Sequence, residues 1–348
     1  MLRPAGETPK IQTVKPSSFQ NRKSEPGQET MMPETLQKMW NRCVMTLVRP
    51  YTRRELPGWG PIYRTMVGDF TNNDRWKGHD IIWVRGKLHN YEMPLDLASW
   101  SNRQTYFLGR YYDIQTQLAI KALVGPGDTV VDIGGNEGMI TLLAAHTVGP
   151  RGKVITFEPN PIPRGKMEQS LRRNGIDWVN VKPVGLSDEP AVLTLTIPGI
   201  NSGEGTFGQS AYDQGDTSAI EVAVSVGDRE LLNEKPRFIK IDVEGFELHV
   251  LRGLRETLAR AKPIVVIEII GKHLARAGTS AAEVAGQLMQ LGYRGWEMSH
   301  VGRGKNLRVR LQSVETFDDD VWGDFLWIHP DDPLSGEVEA RLARNGTG

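Results

Sequence analysis

The stretch Val130-Val131-Asp132-Ile133-Gly134-Gly135-Asn136-Glu137-Gly138 decides the fold of this 348-residue chain. The apolar run Thr129–Ile133 predicts a buried β-strand, and the glycines after it predict a tight turn. Residues from Met139 to His146 then repeat at helical spacing, so a helix begins directly after the turn. A strand, a glycine turn and a helix in this order open a nucleotide-binding βαβ unit, whose helix N-terminus offers free N–H groups and partial positive charge to a ligand.

The ligand can be inferred from the spacing of the glycines and from two carboxylates. Gly134 and Gly138 are four residues apart, so the turn lacks the G-x-G-x-x-G fingerprint of dinucleotide sites. Asp132 would repel a pyrophosphate and suits a cationic ligand. Glu158 ends a second predicted strand, Lys153–Phe157, and can accept hydrogen bonds from both ribose hydroxyls. A nucleoside without phosphates but with a positive charge indicates S-adenosylmethionine, and the alternative is a turn that only closes a helix onto a sheet.

The composition excludes several classes of protein. Lys and Arg total 42, as do Asp and Glu, so no global positive field indicates a nucleic-acid partner. No apolar run has the length of a membrane span, and residues 1–6 do not show the start of a signal peptide. The single Cys43 cannot form an internal disulfide and has no accompanying catalytic motif, so we expect an ordinary thiol in a cytoplasmic protein.

From residue 105 to residue 330, predicted strands alternate with predicted helices. This order indicates an α/β fold with a mostly parallel sheet and helices on both faces. Ligands of such sheets bind at the carboxyl ends of the strands, so we expect polar side chains there to meet. Five polar positions fall at or near predicted strand ends: Asp132, Glu158, Ser187, Asp242 and Glu268.

A second informative stretch is Phe238-Ile239-Lys240-Ile241-Asp242-Val243-Glu244-Gly245-Phe246-Glu247. Its period of two predicts a strand with Lys240 and Asp242 on one face. Glu244 then begins the loop to the next helix. Glu268 lies in the most apolar predicted strand, where a charge is costly unless it is paired or at an edge.

The rest of the chain predicts four regions. We expect a disordered tail over residues 1–33, a helical and aromatic extension over residues 34–104, the α/β domain over residues 105–330 and a polar tail over residues 331–348. The extension is expected to contact the acceptor or a second copy of the chain, since its aromatic side chains can either stack on a sugar ring or simply pack. The loop Gly199–Ser218 is either a lid or a solvent-exposed connection.

Four segments together resemble the FkbM family of S-adenosylmethionine-dependent methyltransferases: Val131–Gly138, Phe157–Pro161, Val184–Asp188 and Phe238–Glu247. The resemblance implies a Rossmann-like seven-stranded sheet with one antiparallel strand. It also implies O-methylation of a hydroxyl on a sugar, a glycan or glycolipid, or a natural product. Glu137 departs from the family pattern, which commonly has an apolar residue there.

The resemblance and the strand-end pattern together give a candidate site. The cofactor-binding candidates are Asp132, Gly134, Gly135, Asn136, Gly138, Glu158, Asn160, Ser187 and Asp188. A hydroxyl nucleophile benefits from a base, for which Asp242 and Glu244 are the first candidates and Glu268 and His273 the second. Lys240 can pair with a carboxylate in a catalytic or a purely structural salt bridge. Glu244 and His273 likewise have structural alternatives, namely a helix N-terminal carboxylate and a packing residue. No metal is predicted to be required, although the carboxylates could hold Mg²⁺ through oxygen ligands.

Two other functions fit the same fold class. One is an NAD-dependent oxidoreductase, against which the missing dinucleotide fingerprint argues. The other is a non-catalytic nucleoside-binding member of the fold, against which the presence of Asp132, Glu158 and Asp242 argues. A homo-oligomer is compatible with either assignment.

Overall fold

A computed structural model describes residues 33–198, 217–302 and 304–344 of the chain. The predicted tail over residues 1–33 and most of the predicted loop Gly199–Ser218 lie outside these ranges. The strands are β1 Ile82–Arg85, β2 Glu92–Leu95, β3 Thr129–Ile133, β4 Lys153–Phe157, β5 Val179–Lys182, β6 Gly185–Ser187, β7 Ala191–Pro198, β8 Thr217–Val226, β9 Phe238–Ile241, β10 Ile264–Ile270, β11 Arg294–Val301, β12 Arg308–Val314 and β13 Trp322–Ile328. The helices are α1 Glu34–Leu47, α2 Arg49–Arg53, α3 Trp59–Met66, α4 Trp100–Leu108, α5 Ile114–Leu123, α6 Met139–Val148, α7 Pro161–Arg173, α8 Gly227–Glu230, α9 Glu247–Gly253, α10 Arg255–Ala261, α11 Gly271–Arg276, α12 Ala281–Gln290 and α13 Val338–Arg344.

The central sheet has eight strands in the order β12-β11-β13-β10-β9-β3-β4-β5. The five strands from β10 to β5 are parallel, whereas β13 and β12 run in the opposite direction. The predicted α/β class is therefore confirmed. The sheet has eight strands rather than the expected seven, because β12 pairs with β11 as an additional edge strand. Its buried Val309 belongs to the core cluster that also contains Val338 and Leu342 of α13.

Alternation along the parallel strands sorts their side chains between two hydrophobic layers. Val130 of β3 and Phe238 of β9 join the layer that includes α5 and α6. Val131 and Ile239 join the layer that includes α9 and α12. Because successive side chains point to opposite faces, Asp132 and Lys240 share the face covered by α5 and α6. The same alternation places Glu268 and Asp324 on that face.

The N-terminal region packs on this face of the sheet. Trp76 and Phe107 are fully buried in the same hydrophobic cluster as the central strands. Asn174 at the end of α7 bonds to the backbone N–H and carbonyl of Glu92 in β2, at 2.8 and 2.7 Å. The region from α1 to α4 and the sheet therefore share one core. In the ranges the structure describes, no helix is both long and apolar enough to cross a membrane.

Several elements differ from the sequence prediction. The sequence Pro57-Gly58-Trp59-Gly60-Pro61 is typical of a turn or loop, but it contains the start of α3. The spacing of leucines predicts one helix over Glu247–Ala259, which the structure divides at Leu254 into α9 and α10. The predicted polar tail contains α13, whose Val338 and Leu342 are buried. An apolar pair four residues apart is enough to dock one helical face, even in a segment that is polar on average.

Candidate active site

The glycine turn after β3 lies so close to its neighbours that side chains cannot be accommodated. Gly134 has φ +83°, and a Cβ there would lie 1.8 Å from the carbonyl oxygen of Asp242. A Cβ on Gly135 would lie 2.1 Å from Oγ1 of Thr156. Gly138 has φ +85° and immediately precedes α6. The turn therefore presents bare backbone at the carboxyl ends of β3 and β9.

Glu158 follows β4 and connects the glycine turn to the start of α7. Its Oε2 accepts the backbone N–H of Asn136 at 2.7 Å, and its Oε1 accepts that of Asn160 at 2.8 Å. The side chain is 7% exposed. Burial raises the pKa of Glu158 to about 7, despite both hydrogen bonds. Each carboxylate oxygen keeps a lone pair for a ligand.

A cavity of about 710 Å³ opens at this edge of the sheet. The predicted site residues that line it are Gly134, Gly135, Asn136, Glu158, Asn160, Lys240, Asp242 and Glu244. The predicted site residues outside the lining are Asp132, Gly138, Ser187, Asp188, Glu268 and His273. The structure thus brings most of the predicted cofactor and catalytic residues to one cavity, whose volume is typical of a small-molecule site.

Asp132 and Asp242 lie on either side of Lys240. Nζ of Lys240 donates to Oδ2 of Asp242 at 2.9 Å and lies 3.9 Å from Oδ1 of Asp132. Asp132 is fully buried, and its Oδ2 accepts a hydrogen bond from Thr141 Oγ1 at 2.6 Å. Burial raises the pKa of Asp132. Burial alone would lower the pKa of Lys240, but Asp242 and then Asp132 raise it by more, so Lys240 stays protonated.

Asp242 is also hydrogen-bonded to Glu268, and the pKa values of the two carboxyl groups are shifted in opposite directions. Burial would raise the pKa of Asp242, but Lys240 outweighs burial and the pKa is lowered. Burial and then Asp242 raise the pKa of Glu268 well above its usual value. Asp324 lies opposite Glu268 in the β10–β13 ladder, and burial raises its pKa too. The surroundings therefore favour the protonated form of Glu268 and the ionised form of Asp242.

Glu244 lies in the loop after β9 with φ +54°, a left-handed conformation that is uncommon for a residue with a side chain. Its Oε2 lies 2.8 Å from Nδ1 of His273 in α11. The hydrogen bond to Glu244 raises the pKa of His273. His273 therefore contacts the cavity only through Glu244, which its imidazole holds in place.

Asp242, Glu244 and Glu268 offer carboxylate oxygens that lie within 4.8 Å of one another. Such a set of hard oxygen ligands could hold Mg²⁺. Within the protein, Asp242 is paired with Lys240 and Glu244 with His273.

Glu137, the departure from the family pattern, is compensated in the structure. Its Oε1 accepts from Nζ of Lys166 at 2.5 Å and its Oε2 from Nδ2 of Asn102 at 2.8 Å. All three residues line the cavity. The extra carboxylate is thus paired with a cation from α7, and it connects α4 of the N-terminal region to the glycine turn.

The prediction that Ser187 and Asp188 lie at this edge of the sheet is wrong. β5 ends at Lys182, and β6, which contains Ser187, belongs to a separate three-stranded sheet in the order β6-β8-β7. Pro183 has no N–H to continue the β5 ladder, which explains the end of the strand. Asp188 instead bonds to Ser187 Oγ and to His249 Nδ1, at 3.1 and 3.0 Å.

From the sequence, the aromatic residues of the extension, which include Trp100, are expected to contact the acceptor or to pack, but no pattern singles out Tyr111 and Tyr112 or the buried carboxyl groups of Asp113 and Asp324. Trp100 and Tyr112 have ring centroids 4.9 Å apart, Tyr111 and Tyr112 have centroids 4.3 Å apart, and all three residues line the cavity. Asp113 caps α5 by accepting the N–H of Thr116 at 3.0 Å, and burial raises its pKa. Asp324 could have been found by pairing the last predicted strand with that of Glu268. The aromatic residues follow no strand or helix period.

The parallel sheet with helices on both faces, the bare glycine turn and the buried carboxylate after the second parallel strand are features of a Rossmann-like methyltransferase fold. Residues 132–294 match the family model of the methyltransferase FkbM domain. The resemblance inferred from the sequence is therefore confirmed for this part of the chain.

The chain is similar to two curated methyltransferases and to a solved structure. "Methyltransferase 1" of Beauveria bassiana (strain ARSEF 2860) is 31% identical over 164 residues, which cover 41% of this chain and 66% of the relative. "Methyltransferase sdnD" of Sordaria araneosa is 26% identical over 169 residues, which cover 40% of this chain and 65% of the relative. The chain thus spans just under two thirds of each relative's length. The crystal structure of methyltransferase FkbM from Methylobacillus flagellatus KT is 16% identical, with 79% of this chain and 62% of that chain covered and a TM-score of 0.36.

Proposed function

We propose that this protein is an S-adenosylmethionine-dependent O-methyltransferase that acts on a hydroxyl group of a sugar, a glycan or glycolipid, or a natural product. The observation that carries the proposal is a single cavity lined by the glycine turn, by Glu158 and by Asp242. This cavity joins a nucleoside-binding wall to a proton-accepting wall. We also propose that residues 105–330 carry the transferase activity and that residues 34–104 complete the acceptor side.

The residues present fit the methyl donor. The absence of a Cβ at Gly134 and Gly135 lets the turn pack closely against Asp242 and Thr156, and both glycines line the cavity. Glu158 is buried at the cavity wall and can accept from two ribose hydroxyls. The fully buried Oδ1 of Asp132 has no hydrogen-bond partner, and its charge adds to the negative potential at the turn. Such a potential favours a cationic ligand. When bound, S-adenosylmethionine supplies a methyl group on a positively charged sulfur.

The chain's own residues then orient the acceptor and accept its proton. Methyl transfer mainly requires alignment of the reacting atoms, and a hydroxyl oxygen gains nucleophilicity as its proton is removed. We assign the proton acceptor to Asp242, because Lys240 keeps it ionised and because it lines the cavity. In the proposed transfer the hydroxyl proton would pass to the Asp242 carboxylate as the carbon–oxygen bond forms and the methyl–sulfur bond breaks, with S-adenosylhomocysteine as the leaving group. Glu268 donates a hydrogen bond to Asp242, and His273 positions Glu244 beside it.

The aromatic wall supports an acceptor with a flat or cyclic apolar face. Trp100 and Tyr112 precede the glycine turn in the sequence and line the same cavity. Aromatic rings offer apolar surface to the C–H face of a sugar or a polyketide-type ring, while Asp96 and Asn102 offer hydrogen-bond partners to its hydroxyls.

Isothermal titration with S-adenosylhomocysteine tests the cofactor site. The wild type should bind one molecule, and Glu158→Gln should weaken binding roughly 10- to 100-fold, because hydrogen bonds to a charged group contribute about 1.5–3 kcal/mol. Glu189→Gln, which neutralises an exposed carboxylate outside the cavity, should bind like the wild type. If the wild type gives no binding heat, the proposal fails; if only the Glu158 variant is unaffected, the assignment of Glu158 fails.

A second arm of the same experiment tests the chemistry. The protein is incubated with methyl-labelled S-adenosylmethionine and a panel of free, nucleotide-linked and lipid-linked sugars, with and without Mg²⁺. Asp242→Asn should retain cofactor binding and lose transfer of the label to any acceptor that the wild type uses. Undiminished transfer by this variant would remove Asp242 as the proton acceptor.

A further inference from the structure

A second cavity, separate from the candidate active site, lies beside α1 and α2. Its volume is about 1150 Å³. Five cationic side chains line it, and one aromatic ring of α4 completes the wall: Arg42, Arg49, Arg53, Arg54, Lys87 and Tyr106. We call this space the arginine cavity. Formal charges over the whole chain sum to zero, so the concentration of positive charge here is a local feature.

The arginines of this cavity form hydrogen bonds with backbone carbonyls and an aromatic contact, and the described residues provide them with no carboxylate partner. Arg49 Nε donates to the carbonyl of Tyr106 at 3.2 Å, and its guanidinium lies 4.4 Å from the centroid of the Tyr106 ring. Arg53 Nη2 donates to the carbonyl of Arg85 at 2.9 Å, and Arg54 Nη1 to that of Pro50 at 3.4 Å. In the part of the chain that the structure describes, none of the four arginines pairs with a carboxylate.

Among the described residues, the carboxylate near these side chains is Glu55, and both of its oxygens already accept hydrogen bonds from other cations. Glu55 is 5% exposed and accepts from Lys87 Nζ at 2.8 Å and from Arg110 at 2.9 and 3.1 Å. Burial would raise the pKa of Glu55, but Arg110 and Lys87 outweigh it and lower the pKa. Glu55 therefore remains ionised, yet two cations share its single charge, and the arginines of the cavity remain uncompensated.

Arg49 and Arg53 repel each other on the wall of the arginine cavity. Burial and then the neighbouring Arg49 lower the pKa of Arg53. Nη1 of Arg53 is buried against Gly109 and has no hydrogen-bond partner among the described residues. A multiply charged anion beside these two arginines would reduce the repulsion between them.

We propose that the arginine cavity binds a phosphate-bearing ligand, with Arg42, Arg49, Arg53 and Arg54 contacting the phosphate oxygens. The planar guanidinium forms paired hydrogen bonds with phosphate oxygens, and four such groups suit a diphosphate or a clustered phosphomonoester better than one carboxylate. The phosphate can belong to a dissolved compound or to a lipid headgroup. Exposed Leu56 on the cavity wall is compatible with either source.

The arginine cavity adjoins the candidate active site through α4. Tyr106 lines the arginine cavity, while Trp100 and Asn102 of the same helix line the site of proposed methyl transfer. A phosphate held by Arg49 therefore lies against the helix that borders the acceptor. The proposal does not depend on methyl transfer, since its readout is phosphate binding.

Inorganic pyrophosphate is the probe for the first test, by isothermal titration of the full chain at low ionic strength. We expect one bound pyrophosphate and at least a 10-fold loss of affinity in the double variant Arg42→Gln/Arg54→Gln, which changes two exposed side chains. The matched control Arg64→Gln/Arg229→Gln removes two exposed cations outside the cavity and should bind like the wild type. No binding by the wild type, or an equal loss in both double variants, would overturn the proposal.

A second arm separates the two sources of phosphate. Phosphatidylcholine vesicles with and without a minor fraction of phosphatidic acid are sedimented with the wild type and both double variants. Sedimentation only with phosphatidic acid, lost in Arg42→Gln/Arg54→Gln alone, assigns the cavity to a lipid headgroup. Pyrophosphate binding without sedimentation assigns it to a dissolved phosphate compound. Circular dichroism spectra that match the wild type ensure that the variants are folded.

Discussion

At the scale of single residues, the buried Glu247 beside the candidate site should make the free energy of unfolding depend on pH. It is 3% exposed, its Oε1 accepts the N–H of Gly245 at 3.0 Å, and its Oε2 has no partner. Burial raises its pKa from 4.5 to about 7. The folded state thus binds this proton more tightly than the unfolded state, so the stabilisation is full below pH 4.5 and is lost as the pH rises through 7.

We therefore predict a pH dependence for the difference in free energy of unfolding between Glu247→Gln and the wild type. This difference should favour the variant more at pH 8 than at pH 5. The relative gain has an upper bound on the order of 3 kcal/mol, since each pKa unit corresponds to about 1.4 kcal/mol. Urea unfolding at both pH values measures it. Glu256→Gln, which changes an exposed glutamate of α10, should show no such dependence. A Glu247 variant that tracks the wild type at both pH values would show that Glu247 does not titrate in this range.

The residue scale also shows what the sequence can reveal. Period-two alternation correctly placed Lys240 and Asp242 on one face, and Glu268 joined them because buried charge demands a partner. Asp113 could not be found this way, because its place depends on how α5 lies over the sheet. That arrangement comes from packing of the whole core and leaves no local period.

At the scale of elements, the glycine turn after β3 should tolerate no added methyl group. We predict that Gly134→Ala lowers S-adenosylhomocysteine affinity at least 10-fold, because its Cβ would lie 1.8 Å from a backbone oxygen of the Asp242 peptide. That oxygen belongs to the main chain and cannot rotate away. Isothermal titration measures the affinity, and thermal unfolding measures the accompanying loss of stability.

Gly127→Ala provides the matched control for this prediction. Gly127 has φ +90°, close to the +83° of Gly134, but a Cβ there would meet nothing within 4 Å. Both variants should lose stability from the left-handed backbone, about 1–2 kcal/mol, and only Gly134→Ala should lose the ligand. Equal affinity in the two variants would mean that strain, rather than close approach, explains the glycine at position 134.

Elements with a clear local sequence pattern were predictable, whereas a helix that contains residues typical of turns was not. β3 and β4 have their predicted ends, because apolar runs define them locally. A Ser280–Glu283 capping box likewise defines the start of α12 within the local sequence. The sequence at the start of α3 predicts a turn, because Gly60 and Pro61 are residue types that usually interrupt secondary structure. Here Pro61 lies in the first turn of the helix, where its missing N–H is harmless.

At the scale of the whole molecule, the boundary predicted near residue 104 does not separate two cores. Val44, Trp76 and Leu95 share one buried cluster with Val130 and Phe238 of the central sheet. Hydrophobic periodicity identified the extension and the domain as separate patterns, but a pattern within each segment cannot reveal which surfaces meet. The shared cluster indicates that the N-terminal region and the sheet fold as one unit.

We therefore predict a single cooperative unfolding transition for the N-terminal region and the sheet. Five of the nine tryptophans fall within residues 34–104, so tryptophan fluorescence weights that region, whereas far-ultraviolet circular dichroism weights the helices of the whole chain. Leu95→Ala removes a fully buried side chain of β2 and should destabilise the protein by about 2–5 kcal/mol. Because the core is shared, both probes should report the same lowered urea midpoint. Leu47→Ala, at a position 74% exposed, should leave both midpoints in place. If Leu95→Ala shifts the fluorescence midpoint and leaves the circular-dichroism midpoint unchanged, the N-terminal region unfolds independently of the sheet. The two parts would then be coupled only by surface contacts.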